Sequence, residues 1–137
     1  MAEIALARGD LVAARHWADE AVSVMRGWHL ALALRTRARV AIAQCEQGQA
    51  ERDAHDALTV AADVHAYSGI PDTLECLADL AVKAGSHREA ARLFGAADAI
   101  RQRIGVIRFK IYDAEYESSL AALRDTMGDT AFFKELN

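Results

Sequence analysis

Proline is almost missing from this chain. Pro71 is the single example in 137 residues. Cysteine is nearly as scarce: Cys45 and Cys76 stand far apart and form no CxxC pair. That spacing excludes a zinc ribbon and a disulfide-stapled miniprotein. No apolar run approaches the ~20 residues that a membrane-spanning helix needs. The start, MAEIALARGD, lacks the basic segment and long apolar centre of a secretory signal. Two isolated thiols without a leader read as free cysteines in a reducing cytoplasm. Excess positive charge is absent too, the net charge being −4. A duplex-binding domain carries a basic face against the phosphates, and the balance here runs the other way.

What the chain has in abundance is alanine, thirty residues of it. Alanine is the best helix former and loses no side-chain entropy on folding. No strict apolar/polar alternation persists, so the whole chain reads as helical. Charged residues make up 26%, with arginine outnumbering lysine 13 to 3. Corner glycines organise the helices. Gly9, Gly48 and Gly85 stand 39 and 37 residues apart, and each is followed by an amphipathic stretch. Its small residues recur at helical spacing: Ala14, Ala18, Ala21; Ala50, Ala54, Ala57, Ala61; Ala90, Phe94, Ala97. A helix precedes each corner, over Ala2–Arg8, Trp28–Glu46 and Asp72–Ala84. A period of roughly 34–47 residues is the mark of helical-hairpin repeats. Pro71 suits a helix's first turn, where its missing N–H costs nothing.

The third hairpin packs small residues densely. Ala90, Gly95 and Ala97 would permit close approach at a helix crossing, with Phe94 filling the groove between hairpins. Leu74, Leu77, Ala78 and Ala81 on its first helix and Ala90, Phe94 and Ala97 on its second resemble a tetratricopeptide repeat. The resemblance implies an all-α solenoid of hairpins wound as a right-handed superhelix. The second hairpin departs from the pattern, because Asp53 falls where the key alanine belongs. The expected division is 1–105 for the repeats, the first one truncated, and 106–137 for a connector and C-terminal helical cap. Within the cap VIRFKI (106–111) is the connector, Tyr112–Met127 a helix ended by Gly128, and Thr130–Leu136 a final helix capped by Asp129.

A wider resemblance follows from the order of parts. LECLADLAVKAGSHREAARLFGAADAIRQRIG, a connector, then YDAEYESSLAALRDTMGDTAFF is similar to one region of large LuxR-type transcriptional regulators of actinobacteria. In those proteins an ATPase module, sometimes preceded by an adenylate cyclase domain, leads into helical repeats and ends in a DNA-binding helix-turn-helix. The resemblance implies a cytoplasmic interaction or signal-sensing module of such a regulator. Its partners would be another protein, other domains of the same regulator or a small-molecule inducer. DNA would be reached only through a helix-turn-helix absent from this chain, which ends at Asn137. A truncated first hairpin also leaves an apolar face through which a homodimer could form. The reading from another class is a free-standing adaptor that binds a peptide in its concave groove.

No catalytic constellation emerges. GxxxxGK[ST] is missing, no HxxxH pair links His16, His29, His55, His65 and His87, and the serines lack a partner base. Neither cofactor nor metal is expected. Ser86 reads as a helix cap. The candidate binding residues are Arg35 and Arg39, one turn apart on a first helix, with Asp72, Glu75 and Asp79 along the next. They form either a ligand groove or a set of structural pairs. Cys45 and Cys76, on neighbouring first helices, are expected as buried thiols, with a disulfide between them as the alternative, and Trp17 and Trp28 as packing residues.

Overall fold

The computed structural model describes residues 1–108 and 110–137, and of Ile111 the backbone alone; Phe109, in the connector, lies outside the described residues. Eight α-helices are present and no strand among the described residues. They are α1 (Ala2–Ala7), α2 (Leu11–Val24), α3 (Trp28–Ala43), α4 (Gln47–Asp63), α5 (Ile70–Lys83), α6 (His87–Ile104), α7 (Asp113–Met127) and α8 (Asp129–Leu136). The all-helical reading of the composition therefore holds.

Helices adjacent in the chain pack most extensively, as α1 with α2, α3 with α4 and α5 with α6. The first members of these pairs also touch, α1 against α3 and α3 against α5. Alanine makes this possible. Ala14, Ala18, Ala38, Ala41, Ala50, Ala54, Ala78, Ala90, Ala91 and Ala97 are inaccessible to solvent. Small side chains at these crossings let backbones approach closely. Leu74, Leu77 and Ala81 are only half-buried.

The corners differ in one place from the glycine reading. Gly9 and Gly85 take positive φ, 77° and 80°, at the ends of α1 and α5. The matching residue after α3 is Cys45, at φ 61°, while Gly48 lies within the first turn of α4. A left-handed residue ends the helix at each corner, and at the second a cysteine bears that conformation. Pro71 does stand in the first turn of α5. Asp10 caps α2 by accepting a 3.1 Å bond from the Ala13 amide. Two expected caps are corrected. Ser86 occupies the N-cap of α6 without a side-chain bond. Asp129 lies inside α8, behind Gly128 at the cap, and accepts from Arg124 at 2.8 Å instead.

The C-terminal helices change the role of the third hairpin's small residues. Phe94 packs with Ala78, Ala90, Ala91, Leu123 and Phe132, so it joins the α5/α6 pair to α7 and α8. Its ring meets Tyr116 edge to face at 5.7 Å. Gly95 faces α8: a Cβ there would lie 2.8 Å from the carbonyl carbon of Leu136. The close approach that Gly95 permits is therefore with the last helix, not within the hairpin. Phe132 is buried and Phe133 remains exposed.

Candidate functional site

Arg35, Arg37 and Arg39 fall within about one turn of α3, and packing sends each to a different environment. Arg37 forms a two-pronged pair with Asp53 of α4, at 2.8 and 2.9 Å. Asp53 is almost wholly buried and also accepts from Gln49 at 2.9 Å. The aspartate that broke the alanine pattern is thus the anchor of a guanidinium, a pairing that the sequence reading missed. Two consecutive helices each carrying an unusual charge at an interface position were the available signal. The Asp53 hydrogen bonds hold Arg37 above its ordinary pKa against the pull of desolvation.

Arg35 turns to the opposite side and donates to Asp72 of α5 at 3.2 Å. Asp72 also accepts from Arg101 of α6 at 2.7 Å. Arg101 bridges onward to Glu75, at 2.5 and 3.0 Å. Arg108 of the connector completes the chain with a 2.7 Å bond to Glu75. Its guanidinium lies over the Tyr116 ring, 3.3 Å from the centroid. Arg35, Asp72, Glu75 and Arg101 are all buried. Desolvation alone would strip charge from Arg101, but the bonds to Glu75 and Asp72 outweigh it and keep its pKa raised. Arg101 and Arg108 were not among the residues singled out from the sequence. A buried carboxylate needs a partner, and these two arginines supply it from the helix and the loop that follow.

The five candidate residues share one region but not one role. Arg35, Asp72 and Glu75 belong to this network. Arg39 and Asp79 do not. Arg39 has no ion-pair partner among the described residues; its guanidinium stacks on the Tyr112 ring, 3.9 Å from the centroid, and its Nε is buried without an acceptor. Tyr112 follows the connector and donates through its hydroxyl to Glu3 of α1. Burial, and then that bond, push the Tyr112 hydroxyl up to about 12. The segment 110–112 thereby reaches from the last hairpin back to the first.

Two clefts flank this contact, and both are bounded by Glu3 and Tyr112. One, of about 620 Å³, is lined by Arg35, Trp28 and Ile107. The other, of about 520 Å³, is lined by Arg39, Asp79, Glu115 and Phe94. Among the described residues Asp79 accepts only a long 3.4 Å bond from Ser119. Burial, then the neighbouring charge of Glu115, raises its pKa to about 6. Both cysteines are free, with Cys76 buried as expected and Cys45 exposed, contrary to expectation. A cysteine holding the left-handed corner stays at the surface because the chain reverses there. Desolvation pushes the Cys76 thiol up to about 11. Trp17 and Trp28, expected as packing residues, are both exposed instead, with Trp28 stacked on His29 at 3.8 Å.

The described residues thus form an all-helical fold with two polar-edged clefts beside a buried ion network. No helix among the described residues is long and apolar enough to cross a membrane. The chain is 52% identical over 132 residues, 96% of its length, to the HTH-type transcriptional regulator Mb0914c, as that protein of Mycobacterium bovis is named. The same identity and coverage hold for Rv0890c of Mycobacterium tuberculosis, which carries the same description. The chain spans 15% of the length of these relatives. No protein-family model matches the chain, and no solved structure matches it.

Proposed function

We propose that this chain is the helical-repeat interaction and sensing module of a LuxR-type transcriptional regulator. The observation that carries the reading is its 52% identity, over nearly its full length, to one stretch of much longer proteins named as HTH-type regulators. On this reading residues 1–105 are tetratricopeptide-like hairpins and residues 106–137 a connector and cap. The module is not itself catalytic. It works in the cytoplasm and biases the regulator between states by binding one state more tightly than the other. Arg35, Arg39, Asp72, Glu75 and Asp79 form the region through which that bias acts. Arg35, Asp72 and Glu75 are held by internal ion pairs, and Tyr112 crosses the same face. That arrangement favours a small ligand, or a neighbouring domain, over an extended peptide as the occupant.

The test is made in a full-length relative, with the matching 132-residue segment replaced by a flexible linker. DNA occupancy and transcription of target genes are then measured across inducing and non-inducing conditions. Loss of the difference between conditions is expected. An unchanged difference would remove the sensing role.

A further inference from the structure

The smaller cleft contains charges that form no direct ion pair among the described residues. Arg35, Arg37, Arg101 and Arg108 each engage a carboxylate at 3.2 Å or less. Arg39 engages none among the described residues, although its Nε is buried. The Tyr112 ring covers one face of its guanidinium and takes up none of the in-plane donors. Asp79 and Glu115 line the same cleft and likewise have no ion pair among the described residues. Burial first, and then the charge of Glu115, raises the pKa of Asp79. An unpaired guanidinium and an unpaired carboxylate pair therefore share one cavity without bridging to each other. The rest of the wall is mixed: Glu75 and Glu3 are engaged by Arg101 and Tyr112, Lys83 stands at the exposed rim, and Leu6, Ile42 and Phe94 supply the apolar part. The cleft's volume of about 520 Å³ is that of a small-molecule site.

From this geometry we infer that the cleft binds a free α-amino acid with an apolar side chain. Its carboxylate pairs with Arg39, its ammonium sits between Asp79 and Glu115, and its side chain lies against Leu6, Ile42 and Phe94. The inference rests on the sensing role proposed above and names the ligand class. A simple carboxylic acid meets Arg39 but is opposed by Asp79 and Glu115. A simple amine meets the two carboxylates but is opposed by Arg39. A molecule with both charges meets Arg39 and the two carboxylates at once, and the gain is largest at Arg39 and Asp79, which burial desolvates.

The experiment compares thermal unfolding of the chain, followed by circular dichroism, in L-leucine, L-phenylalanine, 4-methylpentanoate and isopentylamine. The last two are leucine without its ammonium and leucine without its carboxylate. A rise in Tm with leucine or phenylalanine that neither analogue produces is expected, because ligand bound to the folded state stabilises it by mass action. Arg39→Gln and Glu115→Gln should each abolish the rise. Glu115 is exposed, so its variant tests the site even if Arg39→Gln folds poorly. The proposal is overturned if no amino acid raises Tm, if either analogue matches leucine, or if Glu115→Gln retains the full rise. The linker replacement described above reads the module's role without reference to any ligand. A regulatory defect there with no amino-acid effect here overturns the ligand class alone. Amino-acid binding here with normal regulation there supports the site and overturns the sensing role.

Discussion

Gly95→Ala is the substitution for which local and tertiary effects oppose each other most sharply. Gly95 lies inside α6, where alanine should gain about 1 kcal/mol of helix propensity. The added Cβ, however, would overlap the Leu136 carbonyl of α8, with the carbonyl carbon 2.8 Å away. Backbone cannot rotate aside as a side chain can, so α8 must move. That helix contributes Phe132, which is 4% exposed, and half-buried Leu136. Removing the burial of one such aromatic costs about 2–3 kcal/mol, and partial exposure of a leucine about 1 more. Glu135 would also lose its bonds to Arg88 at 3.1 Å and Arg92 at 2.5 Å. Those arginines are largely exposed, so the ion pairs add little. Set against the propensity gain, the net loss is about 3 kcal/mol. Urea denaturation followed by circular dichroism measures it, and limited proteolysis between α7 and α8 reports whether α8 has come away. Gly48→Ala is the matched control. Gly48 is also helical, and its Cβ would meet only the end of the Arg52 side chain at 3.4 Å. It should be neutral or stabilising by up to about 1 kcal/mol. If Gly95→Ala is as stable as Gly48→Ala, the packing of α8 against α6 is refuted.

Ala90→Leu inserts three carbons where no solvent reaches, and should cost about 1–3 kcal/mol by urea denaturation; an unchanged midpoint would remove Ala90 from a helix crossing. Arg101→Met should cost about 3 kcal/mol, near the low end for a broken buried pair, because Asp72 keeps Arg35 and Glu75 keeps Arg108. Equal stability of the variant would show that the ion network contributes nothing over apolar packing. Asp79→Asn should stabilise the protein at high pH only. The folded pKa of Asp79, about 6, lies above its ordinary value, so ionising it costs folding free energy. Below about pH 4 the group is neutral in both states and the cost vanishes; above about pH 6 it is complete, at up to about 3 kcal/mol. Glu115 and Ser119 of α7, Arg39 of α3 and Glu75 of α5 surround the group and set this balance. Denaturation of both proteins at about pH 4 and pH 8 reads the difference, and a pH-independent gain would refute the assignment.

The local half of this protein was legible in its residues. The helical spacing of alanines, the left-handed corners at Gly9 and Gly85 and the first-turn Pro71 depend on neighbours within one or two turns, so the sequence carries them directly. Even the second corner was found to within three residues, with Cys45 in place of Gly48. The candidate site was legible only as a set of charges. RTRAR reads as one basic patch along the chain, yet Arg37 serves Asp53, Arg35 serves Asp72 and Arg39 stacks on Tyr112. Side chains two residues apart on a helix are about 200° apart around its axis, so Arg37 points away from Arg35 and Arg39, and which helix each one meets is settled by packing. Arg101 and Arg108 converge on Glu75 from 26 and 33 residues away, and Tyr112 reaches Glu3 across 109. No periodicity encodes such separations. What the sequence alone determined was where the helices lie and which faces they bury. What only the tertiary structure decided was which charges are paired and which, like Arg39 and Asp79, are left facing a cavity, because pairing depends on distances that exist only after the helices have docked.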